Sequence, residues 1–184
     1  MRAPIGHFDQ ATPAPDCLGE LTRPVADAVR HWRGGIPADQ ILYVETDPQW
    51  ADTAAFVEHY GRDLLEKSAN CVVVAGKRGG GTRLAACVVP SASRVDVNGV
   101  VRRRLDARKA SFAPMEVATG ETGMEYGGIT PIGLPQDWPV LIDATVVELP
   151  YVLLGSGRRR GKLLVPGKAL AELPGAVVLE GLGV

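Results

Sequence analysis

The sequence is short of the residues on which side-chain catalysis usually rests. Histidine occurs three times in 184 residues, and His7, His31 and His59 all lie in the N-terminal third. His31 and His59 read as helix-surface residues and His7 as part of a tail. A serine triad needs a histidine partner and a Gly-x-Ser-x-Gly elbow. Ser156 has only Gly155-Ser156-Gly157, and no histidine follows it. Cys17, Cys71 and Cys87 are odd in number and lack the close spacing of a metal or redox pair. No metal site and no cofactor are therefore expected. No run approaches the roughly 20 apolar residues of a membrane span, and no signal peptide precedes the first helix. The expectation is a cytoplasmic protein without a membrane partner.

Charge is also scarce overall. The formal net charge of −1 rules out polyanion binding by brute charge. The distribution is uneven, however. Residues 1–69 hold 6 Lys/Arg against 11 Asp/Glu, and residues 70–184 hold 14 against 10. An acidic front and a basic back suit a protein that offers one face to a phosphate backbone, and solvated surface charge explains the pattern equally well.

At 46% hydrophobic, the chain can bury one proper core. Residues 1–20 are Pro-rich and aperiodic, which predicts a tail or arm, and residues 21–184 form a single domain. Leu21, Val25, Ala28, Val29 and Trp32 recur at helical spacing. Ile41 to Val44 reads as a strand, and Asp47-Pro48 as the start of a helical region running to Gly61, with a further turn at Leu64-Leu65. Cys71-Val72-Val73-Val74-Ala75 is a continuous β-branched run, the mark of a strand buried on both faces.

A turn over Lys77–Thr82 leads into a returning strand, Arg83–Val89. Gly76-Lys77 is followed by Arg78 and a strand, so it is not a Walker-type loop. Asp96 caps a helix carrying Val97, Val100, Val101 and Leu105 on one face. A strand over residues 108–113 and a short helix from Pro114 to Ala118 follow. Further strands are expected at 140–143, 151–154, 162–165 and 176–179, with a helix over 168–173. Many short strands with a few helices predict an α+β fold with a mixed, curled sheet, not a doubly wound one.

The densest local signal is Tyr126-Gly127-Gly128-Ile129-Thr130-Pro131-Ile132-Gly133-Leu134-Pro135. Glycine lets another molecule approach the bare backbone, and proline stiffens it. A rigid loop with free peptide N–H groups suits an oxygen that carries or develops negative charge. On local sequence alone, a structural Gly/Pro turn accounts for the stretch at least as well.

From Cys71 onward the chain resembles the YbaK/prolyl-tRNA-synthetase-associated editing family. The resemblance is carried by Gly127 to Leu134, where the family has a Gly-x-x-x-Pro loop. It continues in Leu141-Ile142-Asp143, Gly155-Ser156-Gly157 and Leu163-Leu164-Val165-Pro166, and reaches weakly into Asp52-Thr53-Ala54-Ala55 to Gly61, which looks like the helix that opens these domains. It implies a barrel-like mixed sheet flanked by helices and a free-standing trans-editing deacylase of mischarged tRNA. The implied partners are the acceptor end of an aminoacyl-tRNA and an aminoacyl-tRNA synthetase.

An aminoacyl ester is already activated, so orientation and main-chain oxyanion donors do much of the work. Gly127, Gly128, Ile129 and Thr130 are the candidate catalytic segment, and Pro131, Gly133, Gly155, Ser156 and Gly157 the candidate substrate contacts. Asp143 is placed either to hold the substrate ammonium or a ribose hydroxyl, or to cap the turn after it. Arg102, Arg103, Arg104, Arg108, Lys109, Arg158, Arg159, Arg160 and Lys162 are candidates for tRNA phosphates.

At one place the sequence departs from its relatives. Many carry a lysine linked to catalysis at the start of the first core strand, where this chain has Asn70. Asparagine offers amide hydrogen bonds but neither a cation nor a base. Lys109 either takes over that role or, the better fit, contacts a phosphate at the surface. A catalytically altered member, binding a tRNA end, a small ligand or a protein, is the alternative reading.

Overall fold

Strand pairing accounts for the apolar runs. The computed structural model describes all residues from Met1 to Val184. One sheet is five-stranded and mixed, in the order β5 (Lys109–Phe112), β3 (Ala69–Arg78), β4 (Gly81–Pro90), β6 (Val140–Asp143), β9 (Ala176–Leu179). The β3–β4 and β3–β5 pairs are antiparallel, whereas β4–β6 and β6–β9 are parallel. The other sheet is antiparallel throughout, in the order β1 (Ala11–Pro13), β2 (Leu42–Val44), β8 (Lys162–Val165), β7 (Val152–Gly155).

Both sheets are covered on two faces. Val73, Val88, Ile142, Leu154, Leu163 and Val165 meet in the central core between them. Their strand neighbours point outward into two further cores. Val74, Cys87 and Leu141 pack under a π-helical turn (Val97–Val101) that runs into α4 (Arg102–Arg104). Leu42, Leu153 and Leu164 pack under Tyr60 and Leu64 of α2 (Thr53–Tyr60) and α3 (Leu64–Lys67). With side chains alternating across each strand, both alternating sets are buried, which is why β3 and β8 read as unbroken apolar runs.

α1 (Arg23–Arg30) buries Val25 and Val29 in the central core, at roughly 1.5–3 kcal/mol for each side chain. α5 (Met115–Thr122) starts at Pro114 and extends beyond the expected Ala118, until Gly123 closes it in the left-handed region at φ 66°. Asp96 caps the π-helical turn, accepting from the amides of Gly99 and Val100, both at 3.0 Å. The expected mixed α+β fold is present, and its two sheets do not close into a barrel. The two sheets meet at a seam marked by an isolated parallel bridge between Ser68 and Leu153.

Two expectations differ locally from the structure. The helical region after Asp47 breaks in two. Asp47 caps only a 3-10 turn (Pro48–Trp50), and Asp52 starts α2 afresh by accepting from the amides of Ala54 and Ala55. Residues 1–20, expected as a tail or arm, carry β1 and bury Ala3, Ile5, Ala11 and Ala14. Ala3, Ile5 and Ala11 join the outer core and Ala14 the central one, without any periodic signature.

Candidate functional site

The seam creates the site. β5 pairs only with Val74–Lys77 of β3, which leaves the start of β3 without a ladder partner on that side. A cavity of about 630 Å³ opens there, within the range of about 300–1,000 Å³ usual for small-ligand sites. Its apolar wall includes Cys71, Val73 and Leu154 from the strands, Phe56 and Val57 from α2, and Ala118 from α5. Leu65, Phe112, Met115 and Tyr126 line it while standing well out in solvent, Phe112 at 58% and Tyr126 at 63% exposure. The mouth is therefore an exposed apolar rim with two aromatic rings.

Both glycine bends reach this cavity, through Gly127 and Ile129 of the first and Gly155 of the second. They are packed backbone to backbone. The Gly157 amide donates to the Gly128 carbonyl at 2.8 Å, and the Gly157 carbonyl accepts from the Glu125 amide at 2.8 Å. A Cβ on Gly155 would collide with the Gly128 carbonyl oxygen and lie 2.7 Å from that of Ile129. Glycine is required here by close approach, not by an unusual φ.

These contacts sort the donors. The Gly128 amide is spent on the Glu125 carbonyl and the Gly157 amide on Gly128. The Thr130 amide meets the Met124 sulfur at 3.4 Å. The amides of Gly127 and Ile129 have no partner within the chain, and both residues face the cavity.

Other candidates serve the scaffold. Thr130 and Pro131 are buried outside the cavity wall, and the Thr130 hydroxyl is left without a partner. Gly133, at φ 93°, packs on the Pro24 and Val25 backbone at the start of α1. The Ser156 hydroxyl is wholly buried and lies 3.3, 3.1 and 3.1 Å from the carbonyls of Arg158, Arg160 and Gly161. It staples its own turn.

Asp143 is buried and caps α6 (Ala144–Val147). It accepts from the Thr145 hydroxyl at 2.6 Å, the Thr145 amide at 3.0 Å and the Gly183 amide at 2.8 Å. Burial pushes its carboxyl up, but these hydrogen bonds outweigh it and hold the group below the usual carboxylate range. Asp143 does not line the cavity. Of the two roles weighed from sequence, the structure shows the cap.

The basic residues fall into two sets. α4 lies over the outer face of the five-stranded sheet, away from Cys71 and Val73. There Arg102, Arg108 and Lys109 join Lys77 around a separate cleft of about 430 Å³, and Arg103 and Arg104 are exposed on α4. Lys109 is not in the cavity wall and does not stand in for the missing lysine.

The second set adjoins the cavity. Arg158 donates to the Leu21 carbonyl at 3.2 Å, and Arg160 pairs with Glu45. Arg159 is exposed and lies beside Gly127. Asn70 lines the cavity from an exposed position, on the strand face it shares with Val72 and Val74.

The residue whose place sequence reasoning missed is Lys162. It lines the cavity and is half-buried, and none of the chain's ion pairs includes it. Burial, aided by the charge of Arg159, holds its ammonium below the ordinary lysine value. The cavity wall has no histidine and no carboxylate. Burial pushes the Cys71 thiol up, which keeps it in its unreactive protonated form. No group of three or more His, Cys, Asp or Glu side chains gathers in a way that could hold a metal ion. No helix is long and apolar enough to cross a membrane.

The fold is shared with solved structures. A structure proposed to be a trans-editing enzyme for prolyl tRNA synthetase superposes with a TM-score of 0.66 at 23% identity, covering 86% of this chain and 94% of its own. A scaffold protein used for computational epitope grafting gives 0.67 at 22% identity, over 88% and 96%. A hypothetical protein gives 0.61 at 22%, over 76% and 88%. These likenesses show the fold. The sequence profile of the aminoacyl-tRNA editing domain matches residues 47–173, which spans α2 to α7 (Gly167–Leu170) and every wall of the cavity. The chain belongs to the aminoacyl-tRNA editing domain family.

Proposed function

We propose that the protein is a trans-editing deacylase that hydrolyses the ester of a mischarged aminoacyl-tRNA in the seam cavity. The observation that carries this reading is the pair of unpartnered amides, Gly127 and Ile129, on the wall of a mainly apolar pocket. Two fixed donors stabilise an oxygen that becomes negative as water adds to the ester carbonyl. The apolar wall holds a small side chain, and the Phe112–Tyr126 rim stacks the unpaired terminal bases of the acceptor end. Arg159, free of ion pairs beside Gly127, meets the adjoining phosphate.

Aminoacyl-tRNA editing is the established theme of the family. Hydrolysis by this chain is tested by incubating it with a panel of mischarged tRNAs. Release of one amino acid, reduced in Phe112→Ala and Tyr126→Ala, supports the enzyme. A second reading is favoured by the lack of any histidine or carboxylate in the wall. In it, the cavity binds an aminoacyl end without cleaving it. Tight binding of the same tRNAs with no release supports that module instead.

A further inference from the structure

The geometry points to Lys162 as the cation that meets the ester carbonyl oxygen, completing a three-donor oxyanion site with the amides of Gly127 and Ile129. This assignment rests on the editing reading above. It starts from strand register. Lys162 and Gly155 are directly opposed in the antiparallel β7–β8 ladder, so their side-chain positions project to the same face of the sheet. The face is identified by Gly155, whose missing Cβ would point into the Gly128 and Ile129 carbonyls. The Lys162 stem therefore rises on the side of the sheet where the Gly128 and Ile129 carbonyls pack, and it lines the same cavity as Gly127 and Ile129.

The electrostatics of the wall agree. Lys162 has no carboxylate partner, and the charge that acts on it is that of Arg159, another cation. An unpaired ammonium beside a like charge in an apolar cavity is costly unless a ligand anion completes it. The same positive wall turns the substrate's own α-ammonium away, so the carbonyl oxygen is the group that faces Lys162. Asn70 stands at the exposed edge of the cavity and offers no charge.

The step balances without a cofactor. Water adds to the ester carbonyl carbon, and the C=O π pair moves onto oxygen, against Lys162 and the two amides. The tetrahedral species then re-forms C=O as the C–O bond to the ribose breaks, and a proton of the water ends on the ribose oxygen. Lys162 keeps its proton throughout and acts by charge alone.

Two adenosine ligands separate this role from simple packing. A 3′-aminoalkylphosphonate monoester is tetrahedral and anionic at the reacting position, whereas the 3′-aminoacylamido analogue is planar and neutral. Calorimetric titration of wild type, Lys162→Met and Lys162→Arg is expected to show the phosphonate weakened by about 10- to 100-fold in Lys162→Met. The amide is expected to change by less than about threefold, and Lys162→Arg to recover part of the phosphonate affinity. Equal loss of both ligands, or loss of neither, overturns the lysine assignment while leaving the pocket reading in place. If wild-type protein binds neither ligand, the editing reading falls and the assignment falls with it.

Discussion

Lys162 and Gly155 face each other across the β7–β8 ladder, a long cation opposite a residue with no side chain. The arrangement places a charge where the fold gains nothing from it. Replacing a half-buried, unpaired ammonium with an isosteric apolar group removes a desolvation cost. Lys162→Met is therefore expected to be more stable than wild type at pH 7, by about 1 kcal/mol or roughly 2–4 °C in Tm.

The pH dependence has a definite sign. The lysine's folded pKa lies below its unfolded value, so its cost is fully present below the folded value. The cost disappears as pH rises toward the ordinary lysine pKa of about 10.4. Thermal melts from pH 7 to 10.5 should show the two proteins converging. A variant less stable than wild type across that range would mean that Lys162 is structural.

Gly155→Ala is expected to cost about 1–3 kcal/mol, because the new methyl meets main-chain carbonyls that cannot rotate away. The same substitution at Gly120, inside α5 with nothing within 4 Å, should stabilise by roughly 0.5–1 kcal/mol. Urea titrations of the pair check whether close packing of the bends, and not glycine content in general, matters.

Asp143→Asn should reduce stability at pH 7 by about 1–3 kcal/mol, since it weakens a buried, charge-assisted cap. The contribution of Asp143 is complete above the ordinary carboxylate pKa of about 3.9 and is lost as pH falls through its lowered folded value. The gap between the two proteins should therefore shrink on acidification below about pH 4. Binding of the 3′-aminoacylamido adenosine analogue, measured well below the melting temperature, should be unchanged. A selective loss of that binding would return Asp143 to the site.

Rim and charge should separate by salt. Phe112→Ala and Tyr126→Ala are each expected to weaken binding of a short single-stranded CCA oligonucleotide by about 1–3 kcal/mol, with an unchanged salt slope. Arg159→Ala should lower that slope by about 0.7. Arg102→Ala, on the outer face of the five-stranded sheet, should leave the oligonucleotide unaffected. Fluorescence anisotropy at two salt concentrations separates these three behaviours.

Most of the strands were legible because their apolar runs are long and their turns are chemically marked, as at Gly79-Gly80 and Asp96. The two glycine bends were legible for the same reason. Lys162 was not, because it follows Arg158-Arg159-Arg160 and reads as one more member of a basic run. Only its register opposite Gly155 puts it in the cavity. Arg102 to Arg104 were hidden in the opposite sense, since a helix covering the outer face of a sheet has the same local sequence as one beside a site. The burial of Ala3, Ala11 and Ala14 left no periodic trace.

The bridge between Ser68 and Leu153 has a consequence for which ligands the cavity can admit. The ligand space lies across a junction of two sheets, so its breadth depends on the side chains that prop the junction apart and not on either ladder of hydrogen bonds. Enlarging or trimming Cys71, Val73 or Leu154 would resize the space while every strand kept its partner. At about 1–3 kcal/mol for each methylene accommodated or refused, a few such exchanges would retune which side chain the space admits without rebuilding the fold.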